Sequence, residues 1–249
     1  MARTVRYSLP LKYEGARNAR DLGGYPTKYG TNTALGQYIR CDNPSKFSAK
    51  DLCDLYDYGV RFQVDFRSPS ETDAEPSKLK GYRDIEYINP IMLDNLNSND
   101  AHSIAALPPS LGEMYIGFVD GKKDVYAKVL RDCIRHMDNC IFFNCSAGKD
   151  RTGTFAMILL KLAGVPDDVI VTDYVPSGDN IWADTKPQYE AYKAKGVDIL
   201  HLMQSNAVEM ERLLAHMNNN YGSIENWMTL CGLTENEIVA LRNKMLGQY

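Results

Sequence analysis

The sequence predicts an α/β domain whose last third is a set of added helices. Three observations carry this reading. Strand-like and helix-like runs are interleaved up to Leu162. The apolar run Cys140-Ile141-Phe142-Phe143 suits a central strand, and it leads through a polar, Gly-containing loop directly into an apolar helix, Gly153–Leu162. Beyond that, Ala207, Met210, Leu213, Leu214 and Met217 form one helical stripe, and Ile238, Leu241 and Met245 form another. With 249 residues, 44% hydrophobic and 24% charged, the chain resembles ordinary soluble globular proteins and can bury a sizeable core. One domain over 1–249 is expected.

The elements follow in order. From Met1 to about Gln37 the chain is rich in Arg, Tyr and Gly and reads as irregular, with a turn at Asp21–Gly24. Gln37–Arg40 is a short strand. Ser48 caps a helix over Ala49–Tyr58, with Leu52 and Leu55 on one face and Gly59 as its stop. Arg61–Phe66 alternates as a strand does, and Ile85–Ile88 is a second short one before Pro90. The polar stretch 96–118 reads as a cover over a site. From Lys122, Val125, Tyr126, Val129, Leu130, Cys133, Ile134 and Met137 recur at helical spacing, with Cys133 and Met137 read as core. A helical insertion is expected at 166–205. Ser223 caps a short helix ending near Gly232, and Thr234 with Glu237 forms a capping box for the last.

Composition narrows the function. The net charge of −4 gives no broad footprint for nucleic acid. No apolar leader opens the chain, and its longest apolar run, Phe155–Val165, is interrupted by Lys161 and too short to span a bilayer, so a cytoplasmic location without membrane insertion is expected. The six cysteines form no framework and read as reduced. Cys140 and Cys145 bracket an extended run of roughly 16 Å, too far for a bridge. The four histidines are scattered without metal-ligand spacing, so neither metal nor cofactor is expected.

Chemistry concentrates in Asn144-Cys145-Ser146-Ala147-Gly148-Lys149-Asp150-Arg151-Thr152-Gly153. Cys145 stands at the carboxyl end of the apolar strand, where open α/β sheets place ligands. Ser146, Ala147 and Gly148 are small enough for consecutive backbone N–H groups to face inward as an anion nest, beside the positive end of a helix. Arg151 can grip a phosphoryl group bidentately, and the same positive potential favours a thiolate at Cys145. This is not a Walker A loop, because Asp150 follows Gly148-Lys149 and Phe143 stands where the first Gly belongs.

These residues resemble the Cys-x5-Arg signature of the cysteine-dependent protein tyrosine phosphatases. The run Gly148-Lys149-Asp150-Arg151-Thr152-Gly153 is similar to that of the bacterial tyrosine/serine protein phosphatase family related to mycobacterial protein tyrosine phosphatase B. Asn18–Gly24, Asp65-Phe66-Arg67-Ser68 with Glu71, and Tyr221–Glu225 through Leu241 resemble further motifs of that family. The resemblance implies a mostly parallel sheet flanked by helices and two-step hydrolysis of phosphotyrosine, with phosphoserine/threonine and phosphoinositide monoesters as further substrates. Cys145 is then the nucleophile, Arg151 and the amides from Ser146 to Lys149 the phosphate cradle, and Asp150 the acid, with Asp120 and Asp124 in reserve. Thr152 would hydrogen-bond the departing thiolate, and Asp65 would orient Lys149 or Arg151. Lys149 would add a cation at the rim for a second phosphate. Asn144 replaces the family's usual His and would make similar hydrogen bonds without a charge.

Blander readings stand beside these. Asp65 pairs equally well with Arg67 or Arg61. Arg20 and Asp21 are turn-stabilising rather than catalytic. A catalytically weakened phosphate-recognition module is the alternative to an active enzyme, and a rhodanese-like sulfur transferase the third.

Overall fold

The wholly apolar character of residues 140–143 is what a strand covered on both faces requires. In the computed structural model, which describes Tyr7 and residues 9–93 and 110–249, that run lies within a mixed sheet. Its strands are β1 (Leu9–Pro10), β2 (Arg20–Asp21), β3 (Tyr38–Cys41), β4 (Val60–Asp65), β5 (Glu86–Ile88) and β6 (Cys140–Asn144). The order is β1-β2-β3-β6-β4-β5; β3, β6, β4 and β5 run parallel, and the N-terminal pair adds antiparallel at one edge. Asn144 has Cys41 as Cα partner on one side and Asp65 on the other, so three neighbouring strands end at one level.

Alternation along β6 divides the core. Ile141, Phe143 and Cys145 face the larger cluster with the C-terminal helices, while Cys140 and Phe142 face a smaller one with Leu52 and Leu55 of α1 (Ala49–Asp57). The short α2 (Pro69–Ala74) follows β4. Two helices, α3 (Leu111–Gly121) and α4 (Lys123–Arg135), precede β6, and α5 (Asp150–Leu162) follows it. Phe155 of α5 packs against Phe66, Tyr126 and Phe143; fully burying one such ring stabilises by ~1.5–3 kcal/mol. The remaining helices are α6 (Asp167–Tyr174), α7 (Pro176–Ala194), α8 (Leu200–Met203), α9 (Ala207–Tyr221), α10 (Ile224–Leu230) and α11 (Glu235–Leu246). Trp227 of α10 donates its indole N–H to the Val119 carbonyl at 3.0 Å. The buried Lys244 ammonium of α11 donates to the carbonyls of His136, Met137 and Asn139, fixing the turn that enters β6.

The expected architecture holds, with local differences. The strand expected at 37–40 runs one residue later, because residues 38–41 pair with β6. Arg20–Asp21, expected in an irregular segment, forms β2 because β3 offers it an edge. Met137 lies past the end of α4 and is half-buried, whereas Cys133 is core. Part of the expected cover, 96–109, lies outside the described residues; from Leu111 onward it is α3, capped by Ser110. Residues 166–205 are largely helical, as α6, α7 and α8. No described helix is long and apolar enough to cross a membrane.

Candidate active site

The loop between β6 and α5 turns its carbonyls away from the cavity it lines. The Asn43 amide donates to the Ser146 carbonyl at 3.1 Å, and Asn18 Nδ2 donates to the carbonyls of Ala147 and Gly148 at 3.0 and 3.1 Å. Arg40 Nη2 also donates to the Gly148 carbonyl, at 2.7 Å. With successive carbonyls engaged behind, the intervening N–H groups are left to face an anion in front. Gly148 makes the bend possible. Its φ is 62°, and a Cβ there would sit 2.5 Å from the Cys41 carbonyl oxygen.

The supports are themselves buried and charged. Asp173 of α6 accepts from Arg20 Nε at 2.7 Å, from the Tyr25 hydroxyl at 2.6 Å, and from Arg40 Nη1. Burial would raise the Asp173 pKa, but the two guanidinium groups outweigh it and hold the value at about 2. Arg20 also donates to Asn18 Oδ1 at 2.7 Å, orienting the amide that holds the loop. The turn-stabilising reading therefore fits Asp21, which accepts from the Gly23 and Gly36 amides, but not Arg20.

In front, a cavity of about 790 Å³ opens over Cys145, Ser146, Ala147, Lys149, Asp150 and Arg151. Leu111, Met114 and Phe118 of α3 form part of its wall. Arg151, in the first turn of α5, is 5% exposed and donates through Nη1 and Nη2 to both oxygens of Glu71, at 2.7 and 3.0 Å. It also donates to the Phe66 carbonyl at 3.0 Å. Burial would raise the Glu71 pKa; the hydrogen bonds and charge of Arg151, with the Ser146 hydroxyl and Ser68 amide, pull it down to about 2. Glu71 owes its place to a capping box with Ser68 at the start of α2. As an N3 residue it reads in sequence as a cap, so its second partner is legible only once the loop is folded against α2.

Asp150, the first residue of α5, accepts from the Tyr115 hydroxyl at 2.5 Å. The reserve acids lie elsewhere. Neither Asp120 nor Asp124 lines the cavity, and Asp120 is engaged by His216 and Tyr221 at 2.9 and 2.6 Å. Thr152 is fully buried and its hydroxyl has no hydrogen-bond partner among the described residues. Asn144 accepts from Gln63 Nε2 at 2.8 Å and donates to Asp65 Oδ1 at 3.0 Å.

Two expectations are corrected. Asp65 orients neither Lys149 nor Arg151. It takes Arg67, two residues along the chain, with Nε at 2.9 Å and Nη2 at 2.7 Å, both groups fully buried. Lys149 is not a free cation at the rim either. It is 1% exposed, and its ammonium donates to the carbonyls of Leu202 and Gln204, strapping the C-terminal end of α8 to the loop. A long, flexible ammonium finds unpaired carbonyls at a helix end that no spacing rule could foresee.

The strand–loop–helix unit thus brings a cysteine, a nest of amides and a buried arginine to one end of a parallel-centred α/β sheet, an arrangement suited to holding a phosphoryl group. The sequence matches the tyrosine phosphatase family over residues 11–247. A Cupriavidus necator protein named tyrosine-protein phosphatase is 27% identical over 237 residues, 91% of this chain and 85% of its own. The tyrosine-protein phosphatase of Nostoc commune is 27% identical over 231 residues, 90% of this chain and 78% of its own. The chain belongs to the tyrosine phosphatase family, which makes it a phosphoric monoester hydrolase of the protein-tyrosine-phosphatase class.

Proposed function

We propose that this protein is a single catalytic domain that hydrolyses phosphotyrosine monoesters through a cysteinyl-phosphate. Cys145 attacks phosphorus, Asp150 protonates the leaving oxygen, and water then cleaves the S–P bond. Arg151 and the inward amides of residues 146–149 stabilise the equatorial oxygens as charge redistributes. Glu71 aligns Arg151 by holding one edge of the guanidinium, so that the other N–H groups are presented to the phosphoryl oxygens. The Thr152 hydroxyl, buried and without a partner among the described residues, is suited to donate to the sulfur as it departs. Asn144 and Asp65 support the strand end, together with Gln63 and Arg67.

The observation that carries this reading is the loop whose carbonyls are tied behind while Cys145 and Arg151 line the cavity in front. A phosphorylated protein is the preferred substrate. The apolar side chains of α3 that line the cavity favour an aromatic ring, and the commitment of Lys149 to two carbonyls removes the cation on which a second headgroup phosphate would rest. A phosphoinositide is therefore the weaker substrate class.

Cys145→Ser is the test. Turnover of an aryl phosphate should disappear, while tungstate binding measured by calorimetry stays within about threefold, because backbone amides and Arg151 supply the cradle. A folded Cys145→Ser variant that retains turnover would overturn the mechanism. Tungstate binding without any turnover by the unaltered protein would favour a phosphate-recognition module instead.

A further inference from the structure

The carboxylate of Asp150 is held asymmetrically. Its Oδ1 accepts from the Tyr115 hydroxyl at 2.5 Å and lies 3.5 Å from the Lys149 ammonium. Among the described residues its Oδ2 has no partner. The Tyr115 oxygen in turn lies 2.7 Å from the Tyr174 hydroxyl. Both phenols are fully buried, one on α3 and the other on α6, outside the loop and the sheet.

The proton count gives this chain a direction. An ionised carboxylate only accepts, so the single hydroxyl proton of Tyr115 points at Oδ1, and the Tyr115 oxygen is left to accept from Tyr174. Burial raises the pKa of both phenols, so both keep the protons this order needs. The ring packing of Tyr115 against Phe118 and Tyr174 would survive a Phe at that position. Among the described residues, Asp150 and Tyr174 are the hydrogen-bond partners of the Tyr115 hydroxyl.

We propose that Tyr115, backed by Tyr174, is a positioning residue that makes Oδ1 the acceptor in both protonation states of Asp150 and reserves Oδ2 for the transferable proton. The inference rests on the acid role assigned to Asp150 above. In the first step a sulfur lone pair of Cys145 forms the S–P bond, and the P–O bond to the leaving group breaks. The departing oxygen keeps that electron pair and takes the proton from Oδ2, leaving Asp150 as a carboxylate. Tyr115 then donates into the new charge, which steadies the carboxylate in the orientation from which it takes a proton from the attacking water in the second step.

A leaving-group series separates this from simple packing. Alkyl and aryl phosphates spanning a wide range of leaving-group basicity would be turned over by the unaltered protein, Tyr115→Phe, Tyr174→Phe and Asp150→Asn. For Tyr115→Phe, kcat should fall about tenfold on the alkyl esters and less than about twofold on a nitrophenyl ester, the size of one hydrogen bond to a charged group, with tungstate affinity unchanged. Tyr174→Phe should tilt the series the same way but less, and it carries the test if Tyr115→Phe does not fold. A uniform loss across the series for the Tyr variants, alongside a steep one for Asp150→Asn, would overturn the positioning role alone. A flat series for Asp150→Asn would remove the acid itself, and this role with it.

Discussion

Behind the phosphate loop, Asn18, Arg40 and the Asn43 amide take up the carbonyls of Ser146, Ala147 and Gly148; in front, Glu71 and Tyr115 take up Arg151 and Asp150. The rear contacts reach backbone atoms and determine the shape of the nest. The front contacts reach side chains and determine which way the reacting groups point. Damage behind should therefore weaken anion binding for every substrate alike, whereas damage in front should depend on the leaving group or on pH.

The rear carries the larger stake in stability. Asp173→Asn leaves Arg20 and Arg40 buried without their counter-charge, and an expected loss of ~3–5 kcal/mol should appear as a lower denaturation midpoint in urea. A loss confined to activity, with the midpoint unmoved, would erase the distinction between the two sides. Asn18→Ala should have a smaller effect, weakening tungstate binding by ~1–3 kcal/mol, with kcat/KM falling by the same factor on aryl and alkyl esters. A tilt with leaving group would move Asn18 to the front.

The front sharpens the contrast through pH. Glu71 has a folded-state pKa of about 2 against an ordinary 4.5, so the stability it contributes is fully present above pH 4.5 and is lost as pH falls towards 2. The difference in unfolding free energy between the unaltered protein and Glu71→Gln should be constant at neutral pH and shrink across that window. Urea titrations at a series of pH values measure it, and a pH-independent difference would show that the depressed pKa of Glu71 contributes nothing to folding.

The two sides also differ in how legible they are in sequence. Cys145, the small loop residues and Arg151 are consecutive, and the strand before them and helix after them are both apolar, so chemistry and frame are read from one window. The supports are not. Asn18 lies 130 positions from the Gly148 carbonyl it holds, Arg20 lies 153 from Asp173, and Glu71 lies 80 from Arg151. Arg20 reads in isolation as a turn residue and Glu71 as a helix cap, while Asn18 stands out only as part of a motif that resembles the family's. Asp65 shows the reverse, since of its two readings the local one, pairing with Arg67 only two residues away, holds, and the orientation of Lys149 or Arg151 does not. Close pairing along one strand end costs little chain entropy.

The sequence separation of the Asn18 clamp has a kinetic consequence. Contacts that close long loops form late, because the chain entropy they cost is not recovered until the elements between them have docked. The Asn18 clamp reaches the loop through β2, β3 and β6, so the nest is expected to close on refolding only after those strands have paired. Recovery of aryl phosphate turnover should trail recovery of far-ultraviolet circular dichroism. A chain that has regained its secondary structure but not yet seated Asn18 against the loop would hold every catalytic side chain and still be inactive.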